Sequence, residues 1–362
     1  MAARVTEVVE RWVRAGDRVA VATVVETKRS APQPIGTKMA INDSAQVWGA
    51  VSGGCVEGAV VEVAEAVLAG APPQLLHYGV ADDLAWDVGL PCGGEISVWV
   101  ESYMAGGLEQ RFFQAALSGH RAAIVTVVEG VAQAGAKLLV PADGDHVGTL
   151  GASDLDVFAL ERAREALWTE NGGLVEAGGG VTLFIDAVAP PPRLIIVGAI
   201  DFAAQLAEVA KLTGWRPFVV DPRARFATAE RFLTAERVIV AWPAEAFAQL
   251  GPIDPATAIA VLTHDPKLDD AALTAALASD AFYIGAMGSR VAQERRQARM
   301  MEAGFDRSTL ERIAAPIGLD LGALTSAETA LSIMSEIVAI KHGRMGGRLI
   351  SAGGRIHDAA VA

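Results

Sequence analysis

Three consecutive prolines, Pro190-Pro191-Pro192, constrain the fold of this chain more than any other stretch. Proline has no backbone N–H to donate to a helix interior or a central strand, and a run of prolines holds the backbone extended. The chain must therefore change architecture there. Beyond the prolines, short apolar runs at 193–197, 217–220, 238–241, 258–262 and 282–284 alternate with helical patterns at 202–213, 244–250, 269–278 and 291–303. Such alternation predicts a C-terminal Rossmann-like domain, a doubly wound parallel sheet over 193–341, followed by a basic, glycine-rich tail at 342–362. Residues 1–189 do not alternate in this way. Strands at 18–26, 37–41, 46–51, 74–78, 96–101, 122–128 and 181–188, helices at 4–15, 56–68, 108–117 and 155–168, and a hairpin-like pair within 137–150 predict an N-terminal α+β domain. The fold class is thus α/β overall, and no repeat of fixed period is visible in the sequence.

Charge narrows the range of partners. The net charge of −13 and a pI near 5.0 exclude nucleic acid and anionic membrane as main partners, because phosphate binding needs a basic field. Although 52% of residues are hydrophobic, charges interrupt every apolar run before the roughly 18 residues that a membrane span needs. No membrane span is expected. The first dozen residues mix acids and bases at helical spacing, unlike a signal peptide, so a cytoplasmic location is expected.

Only two cysteines occur, and both sit in glycine pairs: Gly53-Gly54-Cys55 and Cys92-Gly93-Gly94. In the cytosol such thiols are reduced, leaving metal ligation, sulfur chemistry and plain burial as readings. Cys55 falls where a strand turns into a helix. Free N–H groups and the positive end of the helix dipole would favour its thiolate there. Glu57 and Glu95 follow the two turns and read either as orienting groups or as ordinary helix-start and strand acids. Lys28, Arg29 and Gln33 lie in a loop that reads either as solvated or as able to approach an anionic phosphate.

The first turn of the second domain, Gly198-Ala199-Ile200-Asp201-Phe202-Ala203, departs from the dinucleotide fingerprint, whose middle glycine is here Ile200. Asp221, at the end of the next strand, stands about where a ribose-binding acid belongs, or serves the turn before Pro222. A second turn, Gly285-Ala286-Met287-Gly288-Ser289-Arg290, joins a strand to a helix. It reads as an anion site at a helix N-terminus or as a structural turn. NAD(P) is a weak candidate on these grounds. His264 and Asp265 supply too few ligands for a metal.

Taken together, the motifs Val51-Ser52-Gly53-Gly54-Cys55-Val56-Glu57, Cys92-Gly93-Gly94-Glu95, Thr263-His264-Asp265-Pro266, Tyr283-Ile284-Gly285-Ala286-Met287-Gly288-Ser289-Arg290 and Pro316-Ile317-Gly318-Leu319-Asp320 resemble those of the XdhC/CoxI family, accessory proteins of molybdenum hydroxylases. The resemblance implies a chaperone, more than an enzyme with its own turnover. It implies binding of the molybdenum cofactor, as molybdopterin or its cytosine dinucleotide form, support of its sulfuration with a cysteine desulfurase, and delivery to an apo molybdenum hydroxylase of the xanthine or CO dehydrogenase type. A homodimer is also implied. Cys55 and Cys92 are then transient molybdenum or sulfur ligands. Gly53, Gly54, Gly93, Gly94, Gly198, Asp221, Gly285, Gly288, Ser289 and Arg290 are the remaining candidate cofactor-binding residues. The alternatives are an NAD(P)-dependent oxidoreductase and a persulfide carrier that acts without molybdenum.

Overall fold

The computed structural model describes residues 2–29, 33–79, 94–130 and 132–351. The chain forms two compact units, Met1–Pro190 and Pro191–Ala362. Cys92 and Gly93 lie outside the described residues, as does the end of the glycine-rich tail.

The first unit begins with helix α1 (Ala2–Ala15). Strands β1 (Val19–Lys28), β2 (Lys38–Asn42) and β3 (Val47–Gly49) follow, then α2 (Glu57–Leu68), β4 (Gln74–Tyr78) and β5 (Glu95–Ser102). The same order then repeats: α3 (Leu108–Leu117), β6 (Ala122–Glu129), β7 (Lys137–Pro141), β8 (Val147–Gly148), α4 (Ser153–Thr169), β9 (Gly173–Glu176) and β10 (Thr182–Val188). The sheets repeat too, with strand orders β3-β2-β1-β5-β4 and β8-β7-β6-β10-β9. All pairings within them are antiparallel. This half of the chain is therefore an internal duplication, which the sequence reading did not detect.

Side chains confirm the equivalence. Arg18 donates to the Leu68 carbonyl at 2.8 Å, and Arg121 donates to the Leu167 carbonyl at 2.5 Å. Gly49 and Gly148 both take positive φ, and a Cβ on either would collide with a carbonyl oxygen, that of Lys38 or Lys137. Each sheet carries one helix on one face: α2 over Ala22, Val24, Ile96 and Val98, and α4 over Val125, Val127, Leu183 and Ile185. The contacts between the halves are reciprocal, as in an isologous two-fold interface. Lys38 on β2 pairs with Asp186 on β10, and Lys137 on β7 pairs with Glu101 on β5 at 2.7 Å.

The second unit contains β11 (Arg193–Val197), α5 (Asp201–Leu212), β12 (Arg216–Val220), β13 (Arg237–Ile239), α6 (Pro243–Leu250), β14 (Thr257–Val261), α7 (Pro266–Leu277), β15 (Tyr283–Ala286), α8 (Arg290–Glu302), α9 (Arg307–Leu310), β16 (Ile313–Ala314) and α10 (Ser326–Lys341). Its sheet has the order β13-β12-β11-β14-β15-β16, parallel throughout, as expected for a Rossmann-like domain. Both faces are covered. Ile195, Val197, Ile259 and Val261 pack under α6 and α7, and Leu194, Ile196, Ala258 and Ala260 pack under α5 and α10. That two-sided burial explains why these strands read as unbroken apolar runs. Among the described residues no helix is long and apolar enough to cross a membrane.

Candidate functional site

Antiparallel pairing brings the end of β1, the start of β2, the end of β3, the end of β4 and the start of β5 to one end of the first sheet. The Cys55 turn leaves β3 from this end, and the segment that carries Cys92 leaves β4 and returns to β5 here. Gly53 and Gly54 have φ of +80° and +115° with open space around them, so the turn needs glycine for its backbone and not for lack of room. Cys55 is partly exposed, as a ligand must be.

The turn is built around Glu57. Its carboxylate accepts from the N–H groups of Val51 at 3.2 Å, Ser52 at 2.8 Å, Gly53 at 3.0 Å, Gly54 at 2.8 Å and Val56 at 3.2 Å, and from the Ser52 hydroxyl at 2.5 Å. The Ser52 oxygen in turn accepts from the N–H groups of Cys55 and Val56 at 2.9 and 3.0 Å. The N–H groups expected to be free to stabilise a thiolate are therefore committed to Glu57 and Ser52. This changes the role of both residues. Glu57 is the internal anion that shapes the loop, and Cys55 is held at its rim. Burial opposes ionisation of Glu57, but the Ser52 hydroxyl and the backbone donors outweigh it and hold the carboxyl below its usual range. The sister turn repeats the device with Asp156, which accepts from Leu150 N–H and the Thr149 hydroxyl, both at 2.7 Å. Asp154 stands there in the place of Cys55.

A cavity of about 360 Å³ opens at the same sheet end, lined in part by Glu26, Lys28, Arg29, His77, Glu95 and Ser97. The loop residues Lys28 and Arg29, read from sequence as solvated, form part of its wall. Lys28 pairs with Glu26 at 3.0 Å and Arg29 with Glu95 at 3.4 Å. Sequence reasoning missed His77 and Ser97. The only available signal was their alternation with apolar neighbours, which also describes any strand with one polar face.

In the second unit, several of the candidate nucleotide residues are engaged by the protein itself. Asp221 is fully buried and accepts from Ala199 N–H at 2.7 Å, Arg223 N–H at 2.9 Å, and the Arg223 guanidinium at 2.9 and 2.7 Å. Burial raises its pKa, but Arg223 and the two backbone donors win and hold it low. The carboxylate that a ribose would need is thus already engaged. Asp201, at the start of α5, pairs with Arg231 at 3.2 Å, and Arg231 also donates to the Ala199 carbonyl. Gly198 has φ of +113°, and a Cβ there would lie 2.7 Å from Thr263 Cγ2. Ser289 caps α8 by accepting from Ala292 N–H at 3.2 Å, Arg290 opens that helix on the surface, and Gly288 precedes them with φ of +140°. A Cβ on Gly285 would collide with Ile317 Cδ1 and lie 2.6 Å from Tyr283 Oη. Gly285→Ala is accordingly expected to destabilise the chain by about 1 to 3 kcal/mol through overpacking, measurable in a urea melt. Close packing accounts for Gly198 and Gly285 without a ligand. Among the described residues no group of three or more His, Cys, Asp or Glu side chains is placed to hold a metal ion.

These features define a two-unit α/β protein, with a duplicated α+β unit that presents the Cys55 turn and a Rossmann-type unit in which Arg223 binds Asp221. The chain belongs to the XdhC and CoxI family. The model of that family matches residues 12–79 and 115–178, the two structurally equivalent stretches, and the XdhC Rossmann domain model matches 194–337. A Bacillus subtilis strain 168 protein, described as a probable xanthine dehydrogenase subunit, is 27% identical over 325 residues, covering 89% of this chain and 93% of its own. The molybdenum cofactor insertion chaperone PaoD of Escherichia coli K12 is 26% identical over 327 residues, covering 90% of this chain and 84% of its own. A crystal structure of a Bacillus halodurans protein described as a xanthine dehydrogenase shares the fold, with a TM-score of 0.59 at 22% identity over 96% of this chain and 97% of that one.

Proposed function

We propose that this chain is a molybdenum cofactor chaperone that holds the cofactor and delivers it to an apo molybdenum hydroxylase of the xanthine dehydrogenase type. The observation that carries the reading is Cys55, a partly exposed thiol on a glycine turn that Glu57 and Ser52 fix in place. A soft thiolate suits molybdenum as a transient ligand, and one protein ligand can be released on delivery more readily than a closed cage. Relatives named as an insertion chaperone and as a dehydrogenase subunit support it. Cys92, which lies outside the described residues, is the second proposed sulfur. Support of sulfuration with a cysteine desulfurase, a homodimer and a cytoplasmic location belong to the same proposal, as does molybdopterin or its cytosine dinucleotide form as cargo.

Pterin fluorescence of the protein purified from a molybdate-replete host, together with an NADH titration of the same sample, tests this against the oxidoreductase alternative. Retained pterin without tight NADH binding is the expected result. Tight NADH binding without pterin rejects the proposal.

A further inference from the structure

The duplication makes the first unit its own control. Features that the fold requires occur in both halves: the Arg18 and Arg121 bonds to helix carbonyls, the Glu57 and Asp156 turn anchors, and the reciprocal lysine–carboxylate pairs. Features present in only one half are not needed to build it. Several of them lie at one sheet end, that of the cavity.

Three strands there set Glu26, Ser97 and His77 side by side. Ser97 Oγ donates to Glu26 at 3.0 Å, so the 3.0 Å contact between Ser97 Oγ and His77 Nδ1 has the imidazole N–H as its donor. In the neutral ring this fixes the tautomer and leaves Nε2 as an acceptor. The sister row is Glu129, Thr182 and Glu176, which keeps the acid and the hydroxyl but has no imidazole. A tight turn, in which Ala177 N–H donates to the Val181 carbonyl, replaces there the long segment between β4 and β5.

We propose that this cavity binds the pterin ring of the cargo, at the end of the sheet from which the cysteine turn also leaves. The inference rests on the chaperone reading. The cavity volume of about 360 Å³ is near the lower end for ligand pockets, which suits one fused heterocycle and not a dinucleotide. Charge argues the same way. Lys28 and Arg29 are balanced by Glu26 and Glu95, so the wall is polar but neutral, whereas a diphosphate would call for net positive charge. A 2-amino-4-oxo ring presents adjacent N–H donors on one edge and a carbonyl with ring nitrogens on the other. Glu95 accepts from the donor edge, Arg29 donates to the carbonyl edge, and His77 Nε2 accepts a further N–H. Tyr78 and Ile96 supply the apolar part of the wall.

The test is titration of the full chain with pterin-6-carboxylate, read by quenching of the pterin fluorescence, in wild type, Glu95→Gln, His77→Phe and Glu176→Gln. A charge-assisted hydrogen bond is worth enough that Glu95→Gln should weaken binding by about tenfold or more. His77→Phe should weaken it as well. Glu176→Gln, at the sister position of His77, should change nothing, and circular dichroism melts confirm that all variants are folded. Equal affinity in all four proteins overturns the inference and leaves the chaperone reading standing. The same holds if the probe fails to bind to a protein that retains whole cofactor on purification. Absence of both probe binding and retained pterin rejects the chaperone reading itself.

Discussion

Lys137→Ala is expected to destabilise the first unit by about 3 to 5 kcal/mol, the cost of leaving a buried carboxylate without its partner. Lys137 crosses from β7 to Glu101 on β5 at 2.7 Å, with Glu109 on α3 at 3.6 Å, and all three side chains are nearly removed from water. Burial opposes ionisation of Glu101, but the Lys137 charge overcomes it and keeps Glu101 ionised. Burial and the Glu101 charge act together on Glu109 and hold it protonated well above the usual range. The cluster thus sets one lysine against two buried carboxyls whose tendencies to ionise are driven apart. A urea melt read by circular dichroism measures the loss. Replacing both partners, Lys137→Met with Glu101→Gln, should recover much of it, because the Glu101 charge is then removed together with its partner. The Glu109 shift also has a signed consequence. A carboxyl held protonated in the fold but ionised in the unfolded chain lowers stability as pH rises above the unfolded value of about 4.3. Glu109→Gln should therefore be no less stable than wild type at pH 7, the opposite of Lys137→Ala.

Glu57→Ala should act on the site. Five donor groups lose their acceptor at once, while Val56 N–H keeps the Ser52 oxygen, and those at Gly53 and Gly54 face solvent and can be rehydrated. A loss of about 2 kcal/mol follows, with local disorder of the cysteine turn. The wild-type pH dependence carries the same signature. Because the Glu57 carboxyl is depressed in the folded state, its contribution is complete above the unfolded value and disappears as pH falls through the folded one. Amide exchange at Ser52 to Cys55 should rise in the Glu57→Ala protein at neutral pH, and in wild type only in acid. Unchanged exchange at these amides in the variant would show that the turn is held by something other than Glu57.

Much of the fold was legible because it follows from periodicity. The prolines at 190–192 mark the change of pattern, and the two-sided burial of the Rossmann sheet makes its strands continuous apolar runs. Strand β9 escaped notice because it spans only Gly173–Glu176 at the sheet edge, where no face is deeply buried. The duplication was hidden for a different reason. Its halves share positions more than residues, and the loop after β1 is longer than the loop after β6, so no constant period survives. The site was legible only in part. Glycine pairs pointed to the Cys55 turn, but sequence cannot show that Glu57 would consume the N–H groups around it, or that Arg223 would bind Asp221. Those are choices among partners that only the folded chain brings within reach. His77, Ser97 and Glu26 come from three separate strands and carry no motif at all.

The Cys55 turn remains the centre of this account, and molybdenum content tests it most directly. Wild type, Cys55→Ala and Glu176→Gln would be purified from a molybdate-replete host and measured by elemental analysis alongside pterin fluorescence. The account predicts molybdenum with pterin in wild type and Glu176→Gln, and loss of molybdenum in a folded Cys55→Ala protein. Equal molybdenum in all three would contradict the assignment of Cys55 as a ligand, and molybdenum in none would contradict the chaperone reading.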